Sequence, residues 1–405
     1  MRTAGIIAEC NPLHEGHTYL IEEARARTGA DYVVVAMSGD YVQRGAPSIL
    51  SREKRAEALL RAGVDLVVEL PLYVSGSGAD YFARGGVALL ESLGVITDLV
   101  FGSESGDLEA LKAAAVRLAA EDVPAAGDRL AAENEPSAGD SVYRNVLREG
   151  LRNGLSFPQA RAAGLAAVSA EGSAIPETPN DLLGVEYLKA LHIAGSRICP
   201  HAVARVSCRS ASGIRAQMLQ ARRSFDPFLC RDDFSDLLLH AVFRENSAEG
   251  LSRFLDVSHD LAGRILHEFL SFTSYSSFCE AVKTRNYTYT RISRAMLHIL
   301  LGMTSQTMER FDASYGLCGW IRPIGFQKSA LPLIRAIAHS CRVPFLDKLA
   351  RAGQILPDDL YSILLEEIRA EALYDLMAAR RSSLNGEDTS RAEIVTAFQK
   401  PLIIL

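Results

Sequence analysis

The sequence predicts an α/β fold, a doubly wound parallel sheet with Rossmann-like connections, followed by a mainly helical C-terminal part. Three observations carry this. Apolar runs alternate with helical stretches through the first hundred residues. Those runs are continuous and rich in β-branched residues, as expected of parallel strands covered on both faces. Beyond about residue 225 such runs become few and helical patterning takes over.

GIIAE (5–9) reads as the first strand, YVVVAM (32–37) as the second, LVVEL (66–70) as the third and DLVFG (98–102) as the fourth. Helical stretches at 17–27, 51–62 and about 79–93 join them, which implies right-handed βαβ units. Residues 121–141, EDVPAAGDRLAAENEPSAGDS, are rich in Pro, Gly, Ala and acid and predict a flexible insertion. PNDLLGVEYLKAL (179–191) predicts an amphipathic helix capped by Asn180 or Asp181. AVARVSC (202–208) alternates like a last strand and runs into RSASGIRAQMLQARR, a Ser/Gly turn that opens a helix.

A chain of 405 residues has room for two or three domains. Hydrophobic residues at 48% and charged residues at 23% are ordinary for a soluble globular protein. No apolar run approaches the roughly 18 residues that span a bilayer, and no export-signal pattern is present. The seven cysteines are scattered with no Cys-x-x-Cys pair, so neither a disulfide frame nor a zinc site is expected. Reduced thiols in the cytoplasm are the expectation. A net charge of −6 gives no global case for nucleic-acid binding and leaves room for a local basic face.

Ligands of doubly wound sheets bind beyond the carboxyl ends of the strands. Three polar or Gly-bearing segments follow such ends: NPLHEGH, SGDYVQRG and GSESG. In the first, His14-Glu15-Gly16-His17 opens a helix. A helix start offers unpaired N–H groups and a positive dipole end. Gly16 allows a phosphate to approach the backbone. His14 and His17 are three apart, reach one side of the first turn, and can donate to phosphate oxygens as charge builds there. The same pair resembles two legs of a metal site, but a third ligand at suitable spacing is missing. SASGIR is a second phosphate candidate: Ser210 and Ser212 suit an N-cap, Gly213 permits close approach, and Arg215 offers a planar fork.

KTRNYTYTRISR (283–294) interleaves Lys283, Arg285, Arg291 and Arg294 with Tyr287 and Tyr289. The pattern suits phosphate contact and base stacking, and equally a helix start whose tyrosines pack inward. Arg44 is expected at the crevice mouth. Glu9, Asp40, Glu69 and Glu104 lie near strand ends, where any could hold Mg²⁺ through water. Cys10 reads as a small buried residue and Trp320 as structural.

Taken in order, GIIAECNPLHEGH, VVAMSGDYVQRGAPSIL, VELPLYVSGSGADYFARGGV, LVFGSES, PNDLLGVEYLKAL, SASGIR and VKTRNYTYTRISR resemble the bacterial tRNA(Met) cytidine acetate ligase family. That family lies within the HxGH nucleotidyltransferase superfamily, and the likeness runs over most of the chain. It implies a nucleotidyltransferase-like, ATP-binding catalytic domain over 1–224 and a helical, tRNA-binding domain over 225–405. It implies activation of acetate by ATP to acetyl-adenylate, then acetyl transfer to the wobble cytidine of elongator tRNA(Met). ATP is the nucleotide substrate, with Mg²⁺ expected beside it, and no membrane partner is expected.

By the same resemblance Ile7, Ala8, Glu9, Asn11, Pro12, His14, Gly16, His17 and Leu20 line the ATP loop. Gly102, Asn180, Arg205 with Val206, Ser212 and Gly213 complete the nucleotide site, and His14, His17 and Arg215 act on the phosphates. Arg44, Lys283, Arg285, Tyr289, Arg291 and Arg294 are the RNA-binding candidates. The chain departs from the family pattern at Cys10 and Leu13, where aromatic residues are usual, in the short RVSCRSASGIR connection, and in the 121–141 insertion. A small-molecule adenylyltransferase of the same superfamily is the alternative; that chemistry does not need a large helical C-terminal part.

Overall fold

A computed structural model describes residues 1–121, 142–153, 178–206, 208–222, 228–245, 247–285, 287–383 and 396–405, with a few positions between 155 and 167. Of the expected insertion, 122–141 lie outside the described residues. The strands are β1 (Thr3–Ala8), β2 (Tyr32–Ser38), β3 (Tyr41–Val42), β4 (Ala46–Pro47), β5 (Leu66–Leu70), β6 (Asp98–Ser103), β7 (Cys199–Ala204), β8 (Arg322–Phe326) and β9 (Ile403–Ile404). Seven of them form one sheet in the order β7-β6-β1-β2-β5-β8-β9, and β3 and β4 form a small hairpin beside it. All pairings in the large sheet are parallel except β5 with β8.

The apolar runs follow from this topology. Every residue of β5 is buried, as are all but the first of β2. One face carries α1 (Glu15–Thr28) and α2 (Arg52–Arg61), whose Ile21, Ala24, Leu59 and Leu60 pack on Ile6, Val33, Val35 and Val67. The other face carries the Ala79–Leu93 and Pro179–Ile193 helices and runs on into the C-terminal helices as one apolar core. Strand order reverses at β1, with β2 on one side and β6 on the other. The crevice beyond the carboxyl ends of β1 and β6 is therefore the topological switch point.

Three expectations are corrected. The strand expected at 202–208 is Cys199–Ala204, because it pairs with β6 from Asp98↔Cys199 to Ser103↔Ala204 and leaves the sheet where β6 ends; it is also not the last strand of the chain. The Pro179–Ile193 helix is capped at Thr178 with Pro179 in its first turn, so Asn180 and Asp181 lie inside it. Of the two serines suited to cap the SASGIR helix, Ser210 is the cap and Ser212 lies in the first turn. The helical C-terminal part also supplies two strands, β8 and β9, to the sheet.

Candidate active site

His14 is the N-cap of α1, in extended conformation. Its Nδ1 accepts the Gly16 N–H at 3.1 Å, and its own N–H donates to His17 Nδ1 at 3.3 Å. This is a capping box built from two imidazoles in place of the usual hydroxyl and carboxylate. Because each Nδ1 accepts, a neutral ring must carry its proton on Nε2. The ring centroids are 3.9 Å apart. Burial, then Arg205 and Arg215, push the His14 pKa down against the opposing pull of Glu15. Burial, then His14 and Arg205, push His17 down to about 3. Near pH 7 the pair therefore presents two neutral Nε2–H donors at the positive end of a helix. A Cβ on Gly16 would lie 3.0 Å from both His14 Cε1 and Cys208 Sγ, so a side chain there would press on the pair.

The second motif is joined to the first by one residue. The Ala211–Gln220 helix is capped by Ser210, whose Oγ accepts the Gly213 N–H at 3.1 Å. Arg215, one turn in, donates to the Asn11 carbonyl at 2.6 Å and to Ser212 Oγ at 3.0 Å. Asn11 is fixed in turn, its Oδ1 accepting the Ile49 N–H at 2.8 Å. Burial, then Arg44, lower the Arg215 pKa, with Glu9 opposing and Arg231 adding to the fall.

Glu104 organises the far side. It accepts from Thr178 Oγ1, the Asn180 and Asp181 N–H groups, Asn180 Nδ2 at 2.6 Å and Arg205 Nη1 at 3.2 Å. Asp181 turns back to the end of β6, where it accepts from Ser103 Oγ and the Ser105 N–H. Gly102 lies next to that end, within β6; an added Cβ would first meet Arg205 Cγ at 3.7 Å. Val206, Ser212 and Gly213 are exposed at the rim. Ile7 and Leu20 stand apart, since their side chains pack in the two cores, Ile7 against Gly86. Any contact of Ile7 with a nucleotide is thus through its backbone. Ala8 is half-buried at the strand end and Pro12 is buried.

Beneath the site lies a residue that the motifs do not reveal. Buried Arg55 on α2 donates to the carbonyls of Glu9 (2.8 Å), Ser38 (3.0 Å), Leu50 (3.1 Å) and Gly39. It ties together the carboxyl ends of β1 and β2. Half-buried Glu9 accepts the Gln43 N–H at 2.8 Å. Burial pushes its carboxyl up, and Arg44, Arg215 and Arg55 oppose that.

The four carboxylates considered for Mg²⁺ do not fit such an ion. Glu69 is buried between Arg52 and Arg322. Glu104 is occupied as described, and Glu9 is hemmed in by three arginines. Asp40 keeps one unpartnered oxygen, but in a buried cavity of about 10 Å³ lined also by Glu69, Glu367 and Glu371. At the opposite, amino-terminal end of the sheet, Asp98, Cys199 and His201 bring ligand atoms within 4.8 Å. There Arg2 already holds both Asp98 oxygens, at 3.0 and 3.1 Å.

The 283–294 cluster is largely committed to the protein itself. Arg294 pairs with Asp256 at 3.1 Å. Arg291 lies over the Tyr287 ring, whose hydroxyl meets Ser258 and Asp260. Lys283 pairs with Glu280 at the surface. Tyr289 lies beneath Arg231, and Arg285 is exposed.

A family model described as HIGH Nucleotidyl Transferase matches residues 1–389. The chain belongs to the HIGH nucleotidyl transferase family. Two curated relatives named tRNA(Met) cytidine acetate ligase are each 33% identical to it. The one from Acetivibrio thermocellus aligns over 92% of this chain and 94% of its own length, the one from Caldanaerobacter subterraneus subsp. tengcongensis over 88% and 91%. Thermotoga maritima TmcAL bound with alpha-thio ATP superposes with a TM-score of 0.83 at 26% identity, and its apo form with 0.85, both covering the whole of each chain. The parallel sheet, the imidazole capping box and the switch-point crevice are thus the frame of a HIGH nucleotidyl transferase.

Proposed function

We infer that the chain is an ATP-dependent ligase. It joins acetate to the adenylyl group of ATP, releasing pyrophosphate, and moves the acetyl group to the N4 amine of the wobble cytidine of elongator tRNA(Met), releasing AMP. The observation that carries this reading is the convergence of His14, His17 and Arg215 on one switch-point crevice, in a chain that aligns along nearly its whole length with tRNA(Met) cytidine acetate ligases.

In the first step an acetate oxygen attacks the α-phosphorus and the bond to pyrophosphate breaks. Negative charge grows on the non-bridging and leaving oxygens. The two Nε2–H groups and the Arg215 fork are preorganised donors for that charge. Asn180 and Arg205, held by Glu104, face the nucleoside side with Gly102. In the second step the cytidine amine attacks the acetyl carbonyl, the bond to AMP breaks, and the amine gives up a proton. Residues 1–224 supply the ATP side, and 225–405, together with Arg44, the tRNA side. Mg²⁺ accompanying ATP would add positive charge at the phosphates, and none of Glu9, Asp40, Glu69 and Glu104 fits as its ligand. Such a reaction belongs in the cytoplasm.

The test is incubation with ATP and labelled acetate, with and without tRNA. Acetate-dependent ATP–pyrophosphate exchange without tRNA, and label in tRNA(Met) when it is added, are expected. Exchange that ignores acetate and responds to a small phosphate compound would favour the adenylyltransferase alternative.

A further inference from the structure

Arg44 and Arg231 have no carboxylate within ion-pair distance among the described residues, unlike Arg52 and Arg294. Arg44 is exposed on the loop between β3 and β4. Arg231 begins the helical part and reaches back to that loop. Its Nε donates to Ser293 Oγ at 2.8 Å and to the Gly45 carbonyl at 3.3 Å, and its Nη2 donates to the Arg44 carbonyl at 3.1 Å. The guanidinium carbon lies 5.5 Å from the Tyr289 ring centroid. Its Nη1 has no hydrogen-bond partner among the described residues.

The loop is seated firmly. Gly45 has φ +67°, and a Cβ there would run into the backbone of Ser293 and Arg294. Its carbonyl also accepts from Ser293 Oγ at 2.6 Å. Arg44 thus projects from a fixed base beside the nucleotide crevice. Arg44 and Arg231 both act on Arg215, which joins the two phosphate motifs, and the acid that acts on Arg215 is Glu9. Three guanidiniums, Arg44, Arg215 and Arg231, thus stand against Glu9 and the exposed Asp232 beside Arg231, in a chain of net charge −6.

We propose that Arg44 and Arg231 form an anion notch that grips a backbone phosphate of the tRNA beside the cytidine to be acetylated. The proposal rests on the tRNA-acetylating reading above. Arg44 is exposed and Arg231 half-buried where the helical part meets the β3–β4 loop, within reach of a macromolecular ligand. Fork-shaped guanidiniums match phosphate oxygens. Tyr289 serves it as the platform under Arg231, which is a different task from stacking on a base.

The test uses the full chain with Arg44→Gln, Arg231→Lys and Arg231→Gln, and reads tRNA affinity over a salt series, acetate KM in ATP–pyrophosphate exchange, and melting temperature. For Arg44→Gln we expect tRNA affinity to fall about tenfold, with acetate KM unmoved. The salt slope should flatten by about 0.7–0.9, because one phosphate is no longer neutralised. Arg231→Lys keeps the charge and loses the fork, so it should weaken binding with little change in slope. Unchanged affinity and slope in Arg44→Gln would overturn the notch. So would a tenfold rise in acetate KM with tRNA affinity intact, which would make the bound anion the acetate carboxylate. Should Arg231→Gln fail to fold, Arg44→Gln decides alone. A wild-type protein that does not acetylate tRNA overturns the functional reading instead; the binding series reads the notch separately.

Discussion

Two imidazoles in a capping box do two jobs, and substitution can separate them. His14→Ala removes an N-cap, at about 1 kcal/mol, as well as a donor to phosphate. His14→Ser restores the cap but is too short to reach a phosphate. We therefore expect His14→Ser to melt near wild type while acetate-dependent exchange falls roughly 10²–10³-fold, the usual loss for one preorganised donor. His17→Ala should show a similar loss. Near wild-type exchange in both would remove these residues from the chemistry. The depressed His17 pKa carries its own signature. Its folded value of about 3 lies below the unfolded value, so the unfolded chain takes up the proton first as pH falls. The stability that neutral His17 brings is complete above about pH 6.5 and declines from there toward pH 3. Denaturant melts from pH 7 to 4 should show wild type losing stability relative to His17→Gln, and parallel curves would refute the shift. At this scale the sequence was informative about residue types at fixed spacing. The histidine pair and the Arg215 fork were legible because a helix start at a strand end constrains what can stand there. Arg55 and Arg231 were not: the partners of Arg55 are all backbone carbonyls, which every sequence has, and Arg231 reaches two more carbonyls and Ser293, 62 residues away.

Elements inside the sheet could be read almost to the residue, as with YVVVAM and LVVEL, because burial on both faces forces an unbroken apolar run. At the edge the signal fails. Cys199, Pro200 and His201 lie before the strand expected at 202–208, yet they begin β7 because β6 offers them a ladder. The cap of the Pro179–Ile193 helix differs from the sequence expectation for a related reason: Glu104, 74 or more residues away in sequence, accepts from Thr178 and from the first-turn N–H groups. Long-range ties of this kind set element stability. Arg55→Met would strand three carbonyls at the ends of β1 and β2 and that of Leu50 before α2, and should cost about 2–4 kcal/mol in urea unfolding. A loss within 0.5 kcal/mol would show that water replaces the guanidinium. The long Asp358–Ser383 helix presents Glu367 to the same buried cavity as Asp40. Burial, with Glu69 nearby, pushes Glu367 up to about 8 against Arg322 and the Leu72 N–H. A raised carboxyl means that the folded protein holds a proton which the unfolded chain has released, so this group costs stability as pH rises from about 4 to 8. Glu367→Gln should therefore gain on wild type across that range, and a constant difference would count against it.

The whole molecule closes around the antiparallel pairing of β5 with β8. Glu69 faces Arg322 across that pair, and Arg52 from α2 joins them. Glu371 on the Asp358–Ser383 helix pairs with both arginines and with Lys400 from the C-terminal tail. Burial alone would raise the Glu371 carboxyl; the three cations reverse this and hold it low. Such a buried network is weak as a net source of stability, but breaking it is costly, because each partner removed leaves a charge without compensation. None of this was visible in the sequence, where the residues are spread from 52 to 400 and look like ordinary surface charge. The active-site loop depends on it: Arg52 also donates its backbone N–H to Asp40, two residues after β2, and Tyr41 and Tyr374 reach across to the Ala370 and Ser48 carbonyls. A chain cut after residue 224 would keep every phosphate-binding motif. It would lose β8, Arg322, Glu371 and Lys400, leave β5 as a bare edge, and uncover the core face that runs from Leu72 and Tyr73 to Trp320 and Tyr374. The expected outcome is a fragment that aggregates or stays loosely packed, with little near-UV circular dichroism and no measurable ATP affinity. If instead the 1–224 fragment binds ATP as the full chain does, the nucleotide site stands on the first seven strands and their helices alone.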